Sequence, residues 1–304
     1  MTYVGITPEG EQLMLPDPVS ITIDSDEDAP ADSFSGVFPL DTAEYSLTAV
    51  KAFEKDGSLF FDGIVDRQTW ECSTSGTTQK LTARSRAALL LDNEALPQTY
   101  YMPSLRTVFD RHVRPYGFSG YLGRDTACNG QLEVSKGMSE WEVVETFCRK
   151  FLLRRPRIQN GVLDVSEEPE QEVLVISNRG GYKYTNCIIS NYYYKLYTEI
   201  WAKTDSGYRL QEADTEAEDM GIQRRRYVNP ASLQQTTEEL LRSAKRKAFE
   251  ITVTIPGECP AKPGRPVRLE HEKFGVQEGY SVAQNTYTRG NSGEFCRLTL
   301  RRDC

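Results

Sequence analysis

A thiol and an imidazole are the first pair to weigh for nucleophilic chemistry, and Cys148 and His112 are the Cys/His candidates that fall within one segment of this chain. Cys148, however, shares a stripe with Trp141, Val144 and Phe151 at spacings of three and four, where a thiol packs as a small hydrophobe. His112 reads as a helix-surface or helix-end residue. Carboxylates are abundant, with 44 Asp and Glu, so a pair suited to glycoside hydrolysis is compositionally available. One member of such a pair must be raised in pKa by burial, and most acids here sit in polar runs that keep them solvated. Gly-x-x-x-x-Gly-Lys-[Ser/Thr] does not occur, Gly180-Gly181 lacks a following helix, and there is no Gly-x-Ser-x-Gly elbow. Seven Cys without a Cys-x-x-Cys, together with only two His, rule out a Cys- or His-rich zinc centre. No catalytic residue, cofactor or metal is expected.

Binding chemistry is better represented. Arg224-Arg225-Arg226 follows five acids within Glu212–Asp219. An Arg run beside an acidic run reads as a self-compensating solvated loop, with a grip on phosphate or on a neighbouring subunit's acids as the functional alternative. The acids available for that pairing are those of Asp24–Asp32, chiefly Asp24, Asp26, Glu27 and Asp28. Tyr192, Tyr193, Tyr194, Tyr197 and Trp201 suggest a carbohydrate platform. On an alternating strand they split between two faces, which favours ordinary sheet packing.

The elements that must position these residues follow from periodicity. Val19-x-Ile21-x-Ile23 alternates as a half-buried strand, and Asp24–Asp32 with Pro30 reads as a solvated loop. Lys55-Asp56-Gly57 predicts a hairpin between Leu47–Ala49 and Leu59–Val65, since Gly supplies positive φ. Gln68–Cys72 and Gln79–Arg84 form a further pair. Ala87–Leu91 reads as a short helical turn. Ser104 caps a helix carrying Leu105, Val108, Phe109 and Val113, and Ser139-x-x-Glu142 is a capping box for the helix of Trp141 and Cys148. Asn160-Gly161 turns a hairpin between Ile158 and Val165. Tyr194 to Ala202 alternates as one strand, Gln211–Asn229 reads as an exposed excursion, and Thr236-x-x-Glu239 opens a helix that runs into the strand of Phe249, Ile251, Val253 and Ile255. Pro266–Glu270, Gly279–Ala283, Asn285–Thr288 and Glu294–Arg301 complete the β elements.

Charge excludes several function classes. The formal net charge is −8, yet residues 1–50 carry ten acids and no Lys or Arg. A chain so acidic offers no global basic stripe for duplex phosphates, so specific nucleic-acid binding is not expected. Met1–Gly10 is neither basic nor apolar, which argues against a secretory signal, and Ala87–Leu91 is too short an apolar run for membrane insertion. An odd number of Cys in an unexported chain points to reduced thiols. A soluble chain that is not exported is the expectation.

Phe61-Asp62-Gly63-Ile64-Val65 followed by Leu81-Thr82-Ala83-Arg84-Ser85 resembles the opening module of phage-tail baseplate hub proteins, the late control D group. A charged helix ending in Phe249–Ile255, then Pro256-Gly257, Lys262–Leu269, Gly279–Val282 and Cys296–Leu300, is similar to that family's closing module. The helix at Ser139–Leu152 and the strand pair through Asn160-Gly161 are similar to its insert. The resemblance implies an α+β, β-rich fold in which two tail-tube-like antiparallel β-barrel modules, residues 1–95 and 176–304 (the latter with one helix), flank a small α+β insert at 96–175. It implies a homotrimeric baseplate hub of a phage tail or contractile injection particle. Two modules from each of three chains would adapt a sixfold tail tube to a threefold central spike, with the tube, spike and tape measure proteins as partners. Relatives that carry a peptidoglycan hydrolase extend beyond this layout, and none is expected after the last strand here. A cell-wall-degrading tail enzyme and a receptor- or glycan-binding tail module are the competing classes.

Overall fold

Alternation of buried and exposed side chains runs through most of the strands. A computed structural model describes residues 1–40, 45–74, 76–159, 161–166, 172–230, 233 and 235–303. The chain divides into two compact units, one formed by Met1–Ala88, Glu172–Cys187 and Thr252–Leu300, the other by Leu89–Gln171, Ile188–Ile251 and Arg301–Cys304. Residues 188–251 thus gather with the helical middle of the sequence rather than with the strands that follow them.

The first unit is built on a predominantly antiparallel sheet. Its ladder runs through Ser20–Asp26, Ser33–Pro39, Gly76–Ser85, Leu59–Ser73, Ala49–Phe53, Thr2–Ile6 and Gln12–Met14. On the other side of Ser20–Asp26 it continues through Gly275–Gly290, Gly293–Arg302 and Phe249–Pro256 to Asn186–Asn191. The amino-terminal and carboxy-terminal β stretches therefore share one ladder, joined where Asp26 pairs with Gln284 and Ile21 with Arg289. Among the described residues that ladder is an open path and does not close into a barrel. Leu174–Ser177 adds a parallel strand to Pro266–His271, which in turn pairs with Gly275–Gly290.

Two pairs of short strands expected from the sequence are single long ones. Leu59–Ser73 is one strand of 15 residues, bent by a bulge between Val65 and Arg67 rather than broken. Gly275–Gly290 is likewise continuous over 16 residues, Gly279 at φ 73 being absorbed within it. Tyr3, Phe34, Phe38 and Phe61 fill the interior, with Phe34 and Phe61 stacked at 5.4 Å and Tyr3 edge-on to Phe38 at 5.7 Å. Gly63 has a packing cause in the Phe-Asp-Gly-Ile-Val run: a Cβ there would lie 2.5 Å from the Arg84 carbonyl oxygen and from the Phe61 ring.

In the second unit Ser104 and Ser139 cap the helices Leu105–His112 and Glu140–Phe147 as expected, the latter through a full capping box with Glu142. Leu105, Val108, Phe109, Trp141, Val144, Phe147 and Cys148 meet in one core. Gly161 turns Arg157–Gln159 back into the antiparallel Val162–Asp164; Asn160 lies outside the described residues. Farther along, Tyr193–Lys195 is a 3-10 turn, not strand, and the strand begins only at Glu199. Leu196 is buried there and the Lys195 ammonium stands 4.0 Å from the Tyr192 ring centroid, contacts that hold the turn against local alternation. The stretch read as an exposed excursion is ordered: Gly207–Ala213 and Arg225–Val228 flank Glu199–Thr204 in a three-stranded sheet, antiparallel and parallel respectively. Between them Asp214 caps the helix Thr215–Asp219. The helix Thr237–Ala248 covers one face of that sheet, Leu240 packing with Ile200, Ala202 and Val228.

Candidate interaction surface

Acids and arginines singled out in the sequence find partners inside their own units. Asp24 is in a strand, not a loop, and its carboxylate accepts hydrogen bonds from Thr286 Oγ1 at 2.5 Å and Gln284 Nε2 at 3.0 Å. Asp26 Oδ1 accepts from the Asp28 backbone N–H at 2.8 Å, while the Glu27 N–H donates to the Ala283 carbonyl at 2.8 Å. Burial raises the pKa of Asp32 at the end of the same connection. In the other unit, Arg225 Nε sits 2.6 Å from Glu199 Oε2, the Arg226 guanidinium lies over Tyr197 at 5.7 Å, and the Arg224 carbonyl accepts from Thr198 N–H and Oγ1.

The nucleophile pair has a different fate. His112 Nδ1 is 2.5 Å from Glu140 Oε2, Tyr116 OH donates to Glu140 Oε1 at 2.9 Å, and Tyr100 OH meets His112 Nε2 at 2.9 Å. Both ring nitrogens are therefore engaged by side chains other than Cys148. His112 is 2% exposed and Glu140 8%, so the histidine is an interior residue rather than a helix-surface one. Burial, reinforced by the hydrogen bond to Glu140, pushes Tyr116 up to about 12, and burial holds the Cys148 thiol far above its ordinary value. Cys259 and Cys296, also buried, are each pushed up to about 12 by desolvation. These thiols stay protonated at neutral pH and are poor nucleophiles.

A cavity of about 430 Å³ is lined by Asp214, Glu216, Glu238, Arg242, Lys245 and Arg302, among others. Its charges are already paired, Lys245 with Glu216 at 2.6 Å and Asp214 at 3.4 Å, and Arg302 with Glu216 at 3.4 Å. Glu216 is accordingly held below the usual carboxylate range, first by its hydrogen bond from Lys245.

The surface that sequence reasoning divided wrongly is the outer face of the three-stranded sheet. Trp201 pairs in register with Leu210 on one side and Tyr227 on the other, and Lys203 pairs with Tyr208. Tyr227 stands 6.3 Å from Trp201 and 5.2 Å from Tyr208, centroid to centroid. Tyr208, Leu210 and Tyr227 are 51%, 42% and 58% exposed. Trp201 Nε1 donates to Glu199 Oε2 at 2.8 Å, the same oxygen that meets Arg225. Of the aromatic residues singled out in the sequence Trp201 takes part; Tyr208 comes from the antiparallel return strand of the local hairpin, and Tyr227 from a parallel pairing across 26 residues, which leaves no local signal.

No family model matches the sequence, and no curated protein resembles it in sequence. Solved structures do resemble it in fold. A tail protein from Neisseria meningitidis MC58 superposes with a TM-score of 0.77 at 18% identity, over 100% of this chain and 97% of that one. The fold is that of phage tail proteins. The 43 kDa tail protein of prophage MuSo2 from Shewanella oneidensis gives 0.77 at 13% identity, over 100% and 98%. The E. coli c3393 protein, a component of the type VI secretion system with structural similarity to the T4 tail proteins gp27 and gp5, gives 0.61 at 8% identity over 95% and 75%. Among the described residues no helix is long and apolar enough to cross a membrane.

Proposed function

We propose that this chain is the structural baseplate hub of a phage tail or phage-like contractile injection particle. Three copies form a ring about the tail axis. Each copy supplies two tube-like β modules, drawn from residues 1–95 and 176–304, with 96–175 as the insert. Six modules then meet the sixfold tail tube on one side while the threefold set meets the central spike on the other; the tape measure protein is a further neighbour. The observation that carries this reading is the fold likeness to tail proteins along the whole length of both chains.

A closed cyclic ring uses two different patches of one chain at each contact. Asp24, Asp26, Glu27 and Asp28 on one copy, facing Arg224, Arg225 and Arg226 on the next, are the proposed contact. Arg225 and Asp24 would then exchange their present partners for intersubunit ones. Charge reversal at either site should weaken assembly, and reversal at both should restore it, read by sedimentation. The role is non-enzymatic: Cys148→Ala should leave particle assembly and infectivity intact, whereas loss of peptidoglycan cleavage in that variant would favour a cell-wall enzyme.

A further inference from the structure

The helix Thr237–Ala248 covers the inner face of the three-stranded sheet, and on the outer one Tyr208, Leu210 and Tyr227 are exposed. We infer that this outer face, centred on Trp201, Tyr208 and Tyr227 with Glu199 and Arg225, is a binding site for an uncharged oligosaccharide. Three observations select that occupant. Aromatic rings in mutual contact on strands, rather than on loops, give fixed apolar surfaces whose negative π faces suit the polarised C–H groups of a pyranose. Beside them, Glu199 Oε2 takes both Trp201 Nε1 and Arg225 Nε. This leaves Glu199 Oε1 as an acceptor and the terminal nitrogens of Arg225 as donors, the few placed polar groups that orient a hydroxylated ligand. Finally, the carboxylate and guanidinium neutralise each other at the centre of the face, and Lys203, opposite Tyr208, adds one cation and a further donor for a hydroxyl.

A protein partner fits less well. Interface cores are depleted of charge, and covering the Glu199–Arg225 pair with apolar side chains would strip water from both ions without replacement. Sugar hydroxyls supply that replacement. The site is that of the chain with Arg225 on Glu199; in the proposed ring Arg225 would turn to a neighbouring subunit's acids, so sugar binding and that contact compete for it.

The test is calorimetric titration of the full chain with three soluble probes: the hexasaccharides of β-1,4-linked N-acetylglucosamine, β-1,4-linked glucose and α-1,4-linked glucose. At least one should bind, and Tyr227→Ala and Glu199→Gln should each weaken it by about tenfold, the loss of one contact of roughly 1.4 kcal/mol. Tyr101→Ala, an exposed aromatic on a different sheet, should leave binding unchanged. Circular dichroism verifies that the variants fold. No binding of any probe, or binding that survives both face substitutions, overturns the site. A change of oligomeric state in Tyr227→Ala without sugar binding overturns it as well, in favour of a second copy of the chain.

Discussion

The chain Tyr100–His112–Glu140–Tyr116, buried at its His112–Glu140 centre, and the outer face of the Glu199–Thr204 sheet are made of the same kinds of side chain, aromatic rings around one glutamate and one base. They obey opposite rules. In the first, both carboxylate oxygens and both imidazole nitrogens have partners, and the histidine and glutamate are buried. In the second, one carboxylate oxygen takes both Trp201 and Arg225, Tyr208 and Tyr227 keep about half their surface in water, and the helix packs on the opposite face. Residue type therefore says little about role. What separates a structural polar cluster from a binding surface is whether every donor and acceptor has been used up inside the fold.

That contrast breaks most readily at Glu140. Glu140→Ala leaves the buried His112 Nδ1 without its partner and takes the acceptor from the half-buried Tyr116 hydroxyl, and about 2 kcal/mol of stability should go, read by urea unfolding. A loss below about 1 kcal/mol would mean that the network relaxes or admits water. Gly63→Ala sharpens the same point for packing. The added methyl meets a backbone carbonyl at 2.5 Å, which cannot swing aside, so the long sheet should lose about 2 kcal/mol.

Asp32 provides a pH test. Burial raises its folded pKa above the unfolded value, so the ionised form opposes folding, and that cost is present above the folded pKa and vanishes below the unfolded one. Asp32→Asn should stabilise the protein at neutral pH and give no gain once the pH falls below about 3.9. A gain that is independent of pH would contradict the assignment. On the open face, by comparison, Tyr227→Ala should shift stability by no more than about 0.5 kcal/mol, because the ring is mostly in water already.

Capped helices and the alternation at Phe249–Ile255 were legible in the sequence, since caps and burial patterns are local: Ser104, Ser139 with Glu142, and Ile251, Val253 and Ile255 behave as their spacing requires. Long-range pairing was not. Nothing near Arg224-Arg225-Arg226 announces that these residues run parallel to Glu199–Ala202, and nothing near Ile21 announces a ladder to Arg289. The tyrosine run misled because a 3-10 turn, fixed by the burial of Leu196, overrode its alternation. His112 was read from its helix alone, and its glutamate lies 28 residues away. The tail-protein resemblance rests on Phe61–Val65, whose glycine has a geometric reason, with Leu81–Ser85, on the closing run from Phe249 to Leu300, and on the insert between them.

Electron microscopy of the assembled tail particle, with the chain tagged, tests the hub role most directly. Three copies in a ring on the tail axis, between tube and spike, with six β modules related by a near-sixfold repeat, is the expected density. A single copy, or density away from the axis, would contradict it.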